Sequence, residues 1–459
     1  MSMPNIRLFL SAFLVVVSCS AALAQLSGGV PQAPTVILIT IDGFPALALD
    51  DPHLPMPVLH KLIAGGAVAA SMMPSNPTIT WPNHTSLVTG VDAKKHHVVT
   101  NGHIVFYADG SAPVSDALAD QTTMVHARTL YEAAADKGLT TAQIHWVAIR
   151  NARGITWEFS EQATPNDLIA RELIARGDIT ADQVQHFYDS NPAWRDQIRT
   201  AAAVDVIEKH APNFIMLHLA QTDAIQHEYG SSTSAAYEAF ASVDECLRRI
   251  IDATKRKGIY ASTTFIVTSD HGFANSHHSI QPNVVLAQMG LVRREGRTVL
   301  ADAWVKSTGG TALVYVQDSA RRPMLVPLIQ DRFLKVPGIA QALTNSEARS
   351  LGMPAETETD QAPQLYLVAV PDYSFGEDSL GELVRNHAKT GEHGFINTMN
   401  EMQTVFVAYG AAIRPGIHIP PISNLRVAPT IAKILGMQFP EAEQPPLNEI
   451  LKPEHAPHK

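Results

Sequence analysis

The chain has 459 residues, 46% of them hydrophobic and 17% charged, which excludes a disordered chain, and no short period or biased run marks it as collagen-like or low-complexity. Its formal charge is −10, from 34 Lys+Arg against 44 Asp+Glu, and no block of either sign interrupts it. That balance excludes a basic face built to grip nucleic-acid backbone, so a small anionic substrate would need positive charge supplied locally, for instance by metal ions.

Residues 1–24 read as an export signal: one cation (Arg7), an apolar stretch from Leu8 to Val17, and Ala22-Leu23-Ala24 before Gln25 as a small-residue cleavage pattern. The apolar stretch falls short of the about 20 residues a membrane-spanning helix needs, and no later run is long enough. The expected location is periplasmic or extracellular, with a lipoprotein-type alternative through Cys19 in VVSC. Cleavage would leave Cys246 as the only cysteine, hence no internal disulfide. Cys246 lies in SVDECLRRI, a helical pattern, and reads as a packing residue.

Beyond the signal, TVILITID (35–42), FIMLHLA (214–220) and TTFIVTSD (263–270) are near-continuous apolar runs suited to strands buried on both faces of a parallel sheet. ARTLYEAAADKG (127–138) and SAAYEAFASVDECLRRIIDATKRKG (234–258) fit crossover helices ending at glycine. The fold class expected is α/β, a helix-flanked, mostly parallel central sheet. Between 300 and 385 the texture changes to TALVYV, LYLVAV and scattered Pro, Gly and charges. We read an inserted α+β segment there, a core formed by residues 30–300 and 385–445, and a return to the sheet at TVFVAYG (404–410).

In open parallel sheets ligands gather at the carboxyl ends of strands, and here three apolar runs end in or just before a carboxylate: Asp42, Asp223 and Asp270. TSDHGF sets Asp270 and His271 side by side where a strand breaks into a loop. QTDAIQHEYG sets Asp223 and His227 four apart, on one face of a helical turn. GEHGF adds His393 between glycines. Each alone has an ordinary explanation as a turn, a surface pair or a loop histidine. Together, three Asp and three His without thiolates match the donor set of a catalytic zinc or manganese pair. PTITWPNHTSLVTG predicts a helix starting near Trp81 with Thr80 at its cap. The same helix end can hold a phosphate, and a metal-coordinated hydroxyl there can attack phosphorus.

In this order, IDGF, PTITWPNHTSLVTG, TDAIQHEYG, SDHGF and GEHGF resemble the motifs of the nucleotide pyrophosphatase/phosphodiesterase family of the alkaline phosphatase superfamily, over residues 35–290 and 385–440. The resemblance implies an alkaline phosphatase-like core, two Zn2+ (or another divalent metal) and a phosphothreonine intermediate on Thr80. By motif position, Asp42, Asp270 and His271 match ligands of the zinc that binds Thr80, and Asp223, His227 and His393 match ligands of the second. Asn101, in HHVVTNGH, matches the asparagine that holds a phosphoryl oxygen together with the Trp81 amide. Trp81 stands where the family usually has Phe or Tyr. Trp81, with Trp146 and Arg150 in HWVAIRNARGITWEF, is expected to border the substrate. The partner implied is a small-molecule phosphate ester, and oligomeric state is not legible. A phosphodiesterase is the first expectation and a phosphomonoesterase of the same superfamily the alternative, favoured if Arg150 or Arg153 reaches the phosphoryl group. A non-catalytic exported solute-binding protein is the remote one. Sulfatases and cofactor-independent phosphoglycerate mutases are set aside by the threonine context and the signal segment.

Overall fold

The computed structural model describes residues 34–453. The signal segment and Cys19 therefore lie outside the described residues. The central sheet has eight strands in the order Ile417–Ile419, Ala67–Ala69, Phe406–Gly410, Thr263–Thr268, Thr35–Ile41, Phe214–Leu219, Thr141–Ile144 and Trp157–Phe159. Pairing is parallel throughout except at Phe406–Gly410, which does return to the sheet but runs antiparallel to both neighbours. The chain is thus a mostly parallel α/β fold, as its alternating apolar runs require.

Why the central runs are apolar at every position is visible in Thr35–Ile41. Ile37, Ile39 and Ile41 enter one core, while Val36 and Leu38 enter another on the opposite face. Successive side chains of a strand point to opposite faces, so a strand covered on both has no solvent side. The first core is closed by the helices Pro57–Gly65, Pro192–Lys209 and Ser234–Lys257. Residues of Thr80–Thr89, Leu130–Asp136 and Val427–Ile434 close the second. Cys246 is wholly buried in the first, and burial pushes its thiol up to about 12, which makes it a packing residue. Among the described residues no helix is long and apolar enough to cross a membrane.

Two helices differ from the sequence reading. The 127–138 pattern is helical only over Leu130–Asp136, because Thr129 and Glu132 form a reciprocal cap that fixes the start there. Thr80 is the first helical residue and not the cap: Ile79 holds the cap position and offers no side-chain bond. The Trp81 amide is instead satisfied from outside, by Asn101 Oδ1 at 2.9 Å.

Between 303 and 369 four antiparallel strands, Ala303–Ser307, Thr311–Val316, Leu365–Ala369 and Ile339–Thr344, form a separate sheet with Arg322–Phe333 packed on it. Its first hairpin turn lies against the loop of His393. Gly310 N donates to the His393 carbonyl at 2.8 Å, and Thr311 Oγ1 to the Gly394 carbonyl at 2.7 Å. A Cβ at Gly394 (φ +75°) would sit 1.5 Å from the Thr308 carbonyl, and one at Gly309 (φ +83°) 2.1 Å from that of His393. Only glycine admits both the positive φ and this approach.

The helix carrying Asp223 and His227, Gln221–Tyr229, is anchored at its start by Asp196, whose carboxylate accepts from Ala220 N and Gln221 N at 3.1 and 2.9 Å. Arg199, one turn after Asp196 on Pro192–Lys209, pairs with it at 2.7 Å, and both side chains are buried. Asp196→Ala removes the nearest partner of the buried Arg199 charge, leaving Glu161 as the remaining carboxylate near it, a loss of up to about 3–5 kcal/mol. A clearly lowered thermal or denaturant midpoint is expected, and an unchanged one would show that this buried pair contributes nothing.

Candidate active site

The three central strands are in register at their carboxyl ends: Ile41 pairs with Leu219, and Thr40 with both His218 and Thr268. The residues that follow therefore emerge at one level of the sheet, and this register brings Asp42, Asp223 and Asp270 together from sites far apart in sequence. His271 Nε2 lies 3.1 Å from Asp42 Oδ1 and 3.3 Å from Asp270 Oδ2. Asp223 Oδ1 is 3.4 Å from His227 Nε2 and 3.7 Å from His393 Nε2. The imidazoles of His271 and His393 stack at 3.7 Å between centroids. Donor atoms of Asp223, His227 and His393 lie within 4.8 Å of one another, as do those of Asp42, Asp223 and His271.

Each histidine is held in the same way. His227 Nδ1 faces the Gly391 carbonyl at 3.2 Å, His271 Nδ1 that of Gly272 at 3.1 Å, and His393 Nδ1 that of Thr78 at 3.2 Å. A carbonyl oxygen only accepts, so Nδ1 carries a proton and Nε2 is the nitrogen aimed inward. Asp42 Oδ1, Asp223 Oδ1 and Asp270 Oδ2 are buried with only imidazole nitrogens facing them, at ion-pair distances rather than in well-aligned hydrogen bonds. Burying carboxylates so sparsely satisfied is costly, and here they face a common centre. Burial raises the Asp42 and Asp270 carboxyls above their ordinary range, and a neighbouring carboxylate raises each further. Burial alone would lower His271 and His227, but the facing carboxylates reverse it, to about 10 and about 9, so without a metal each holds a proton on Nε2 that a bound ion would displace. Three carboxylates and three imidazoles with Nε2 aimed inward fit divalent metal ions.

Thr80 stands beside this centre. Its carbonyl accepts from His84 Nδ1 at 2.9 Å, and that nitrogen is 3.5 Å from Asp270 Oδ2. Among the described residues its half-buried hydroxyl makes no hydrogen bond. Asn83 fixes the approach: its carboxamide accepts from Ser75 N and donates to the carbonyls of Ser75, Pro77 and Ile79. Trp81 opens onto a cavity of about 260 Å³ bordered also by Trp146 and Arg150. Trp146 is buried and packs edge-on to His84 at 4.6 Å. Arg150 is held away by the Leu118 carbonyl and by Asp120 at 2.7 Å, and Arg153 by Asp136 at 2.5 Å.

Residues 36–396 match the model of the type I phosphodiesterase / nucleotide pyrophosphatase family. The chain belongs to that family. Similar to it among curated proteins is human ectonucleotide pyrophosphatase/phosphodiesterase family member 1, 20% identical over 419 residues, which are 88% of this chain and 40% of that protein. Another is the Naja atra venom phosphodiesterase, 22% identical over 257 residues, 55% of this chain and 28% of that one. The chain spans about two fifths of the length of the first of these. Among solved structures, murine ectonucleotide pyrophosphatase / phosphodiesterase 5 superposes with a TM-score of 0.69 at 17% identity, covering 91% of this chain and all of that one. This supports the alkaline phosphatase-like fold.

In this type I phosphodiesterase-family chain the sequence reading missed the residues behind the donor set. His218 Nε2 is 2.8 Å from Asp42 Oδ2, and its Nδ1 3.2 Å from the His145 carbonyl. His84 Nε2 meets Thr40 Oγ1 at 2.8 Å. Glu392 Oε1 accepts from His393 N at 3.0 Å. His218 is the one polar residue in FIMLHL, and His84 stands one helical turn after Thr80. Those two irregularities were the available signals. Because His218 holds one oxygen of Asp42 and leaves the other facing the centre, His218→Ala is expected to weaken divalent-metal affinity about 10- to 100-fold. Chelator competition reads this directly, and wild-type affinity in the variant would show that Asp42 is oriented without it.

Proposed function

We propose that this chain is an exported two-zinc phosphodiesterase/nucleotide pyrophosphatase that hydrolyses small phosphate esters through a phosphothreonine at Thr80. The observation that carries the reading is the convergence beside Thr80 of six metal-type donors, with each imidazole fixed by a main-chain carbonyl to present Nε2. Asp42, Asp270, His271 and Thr80 would hold one ion; Asp223, His227 and His393 the other. When bound, the ions supply the positive charge that favours an ionised hydroxyl and stabilises the two apical oxygens of an in-line displacement. Membership of the family and the fold shared with the murine protein, also solved as an inactive threonine-to-alanine variant in complex with AMP, support the same assignment.

The chain's own groups then do the following. The Trp81 amide, now on Asn101 Oδ1, and the Asn101 carboxamide sit where one non-bridging oxygen is gripped as charge spreads over it. Thr80 Oγ forms a bond to phosphorus as the bond to the departing ester oxygen breaks. Water then hydrolyses the phosphothreonine, which restores the hydroxyl. The arm opposite Thr80 leaves on the Asp223–His227–His393 side, and the retained arm rests against Trp81 and Trp146.

A monoesterase would aim a cation at the extra charged oxygen. Arg150 and Arg153 are both engaged with carboxylates, so the preference proposed is for diesters. The wild-type kcat/KM for bis-p-nitrophenyl phosphate is expected to exceed that for p-nitrophenyl phosphate by about tenfold or more. A monoester preference of that size would overturn the assignment.

Thr80→Ala should abolish turnover while zinc content stays near two per chain, because most donors remain; Thr80→Ser should keep partial activity. Retention of more than about a tenth of the wild-type rate in Thr80→Ala would rule out covalent catalysis there. Asp223→Ala should lower zinc toward one per chain together with activity, and a fully active protein devoid of divalent metal would end the two-metal reading.

A further inference from the structure

Phe273 borders a cavity of about 560 Å³ whose lining includes none of the six metal-type donors and no residue of the cavity beside Trp81. Leu47, Tyr237 and Phe240 give it apolar and aromatic surface, and Asp51, Asp372 and Glu401 give it three carboxylates. No lysine, arginine or histidine borders it. We propose that this cavity is a second ligand site, for a small organic cation that carries an ammonium or guanidinium head on an apolar body. The inference is independent of the phosphodiesterase reading, because binding there is read without turnover.

Position comes first. The Phe273 ring packs edge-on against His227 and His393, at 4.9 and 5.4 Å between centroids. A Cβ at Gly43 would lie 2.7 Å from that ring and one at Gly391 2.8 Å, so backbone closes on it from both segments and holds it in place. The Phe273 amide donates to the Glu401 carbonyl at 3.0 Å, which ties Glu401 to the same wall. Gln226 adds to it, its Nε2 donating to the Gly43 carbonyl at 2.7 Å and to that of Thr222 at 3.2 Å. The cavity therefore adjoins the donor set and is walled off from it. Its volume is within the range of small-molecule pockets, about 300–1,000 Å³.

Charge comes second. Asp51 accepts from the Tyr237 hydroxyl and from His53 N, which holds its carboxyl below the usual range and so ionised. Asp372 is shared between His277 Nδ1 at 2.6 Å and His278 Nε2 at 3.7 Å. The half-buried Glu401 has no side-chain partner among the described residues. Nor has Oε1 of Gln226, whose side chain is buried. A carboxylate without a counter-charge and a buried carbonyl oxygen without a donor both call for N–H groups. Among the described residues the three carboxylates form no group whose donor atoms converge within 4.8 Å, so a compact metal ion fits them poorly and a spread organic head fits them better. The faces of Tyr237 and Phe240 favour such a head, and the apolar wall takes the body. Like charge turns an anion away.

The test titrates the purified full chain with 4-phenylbutylamine, its neutral analogue 4-phenylbutan-1-ol and its anionic analogue 4-phenylbutyrate, read by calorimetry. The amine is expected to bind at one site per chain, about fivefold or more tighter than the alcohol, and the carboxylate more weakly than either. Glu401→Gln should weaken the amine about fivefold or more and leave the alcohol unchanged. Ala48→Trp, which fills the cavity from its rim, should abolish binding of both; Glu401→Gln keeps the test valid if that variant does not fold. Glu161→Gln reports on the cavity beside Trp81 and should leave the amine affinity as in wild type. Amine affinity unchanged within about twofold in Glu401→Gln, loss of binding in Glu161→Gln, or equal affinity for amine and alcohol each overturns the assignment.

Discussion

Three carboxylates, two of them fully buried, lie side by side at the ends of adjacent parallel strands, and the surrounding structure is organised by that fact. Like charges at this separation in a dry site repel, and burial pushes Asp42 and Asp270 toward the neutral form. The fold answers by dividing the oxygens. Asp42 Oδ2 faces His218 and its Oδ1 faces His271; Asp270 Oδ1 accepts from Gly43 N at 3.3 Å and its Oδ2 faces His271. One oxygen of each is thus fixed by the scaffold and the other left for the centre. His271, His227 and His393 close the remaining sides with Nε2 inward. An arrangement this costly without a cation is intelligible as a receptacle for one, and it also explains how an acidic protein can recognise an anion.

The apparatus that holds the centre reaches well into the fold. Asp196 and Arg199 form a buried pair on the long helix behind the sheet, and the acid secures the start of the helix that carries Asp223 and His227. Asn83 draws residues 75–79 onto the helix that opens with Thr80. The antiparallel sheet of residues 303–369 adds a third support by pressing its hairpin turn on the His393 loop. Ligand geometry is a tertiary property here. The six donors come from four segments, those of Asp42, of Asp223 with His227, of Asp270 with His271, and of His393, brought together only by the tertiary fold.

How much of this was legible follows from the range of the interactions. The strand ends were readable because an apolar run that stops at an acid is a local pattern, and in a parallel sheet its position implies a shared edge. Asp42, Asp270 and the i,i+4 pair Asp223 and His227 were readable on that ground. His218 and His84 were hidden because each stands within a buried stretch, where a histidine looks like any satisfied core residue; their partners, Asp42 and Thr40, are brought near only by strand register and helix packing. The assignment of Thr80 as a cap failed for a related reason. The group that satisfies the helix start is Asn101, which reaches the Trp81 amide from a loop outside the helix. The hydroxyl is left unused as a cap, and that freedom suits a nucleophile better than capping would.

The residues at 303–369 looked like a change of texture in the sequence and nothing more. In the fold they form one wall of a cleft whose other wall is the core, and they contribute Lys306 to it, whereas the cavity beside Trp81 is built from the core alone. The cavity beside Trp81 is aromatic and rimmed by Glu158, Glu161 and Asp167, whereas the cleft beside His393 is polar, with Lys306 paired to Glu377. The attachment of residues 303–369 through Gly309 and Gly394 at the His393 loop ties the position of this sheet to the donor set.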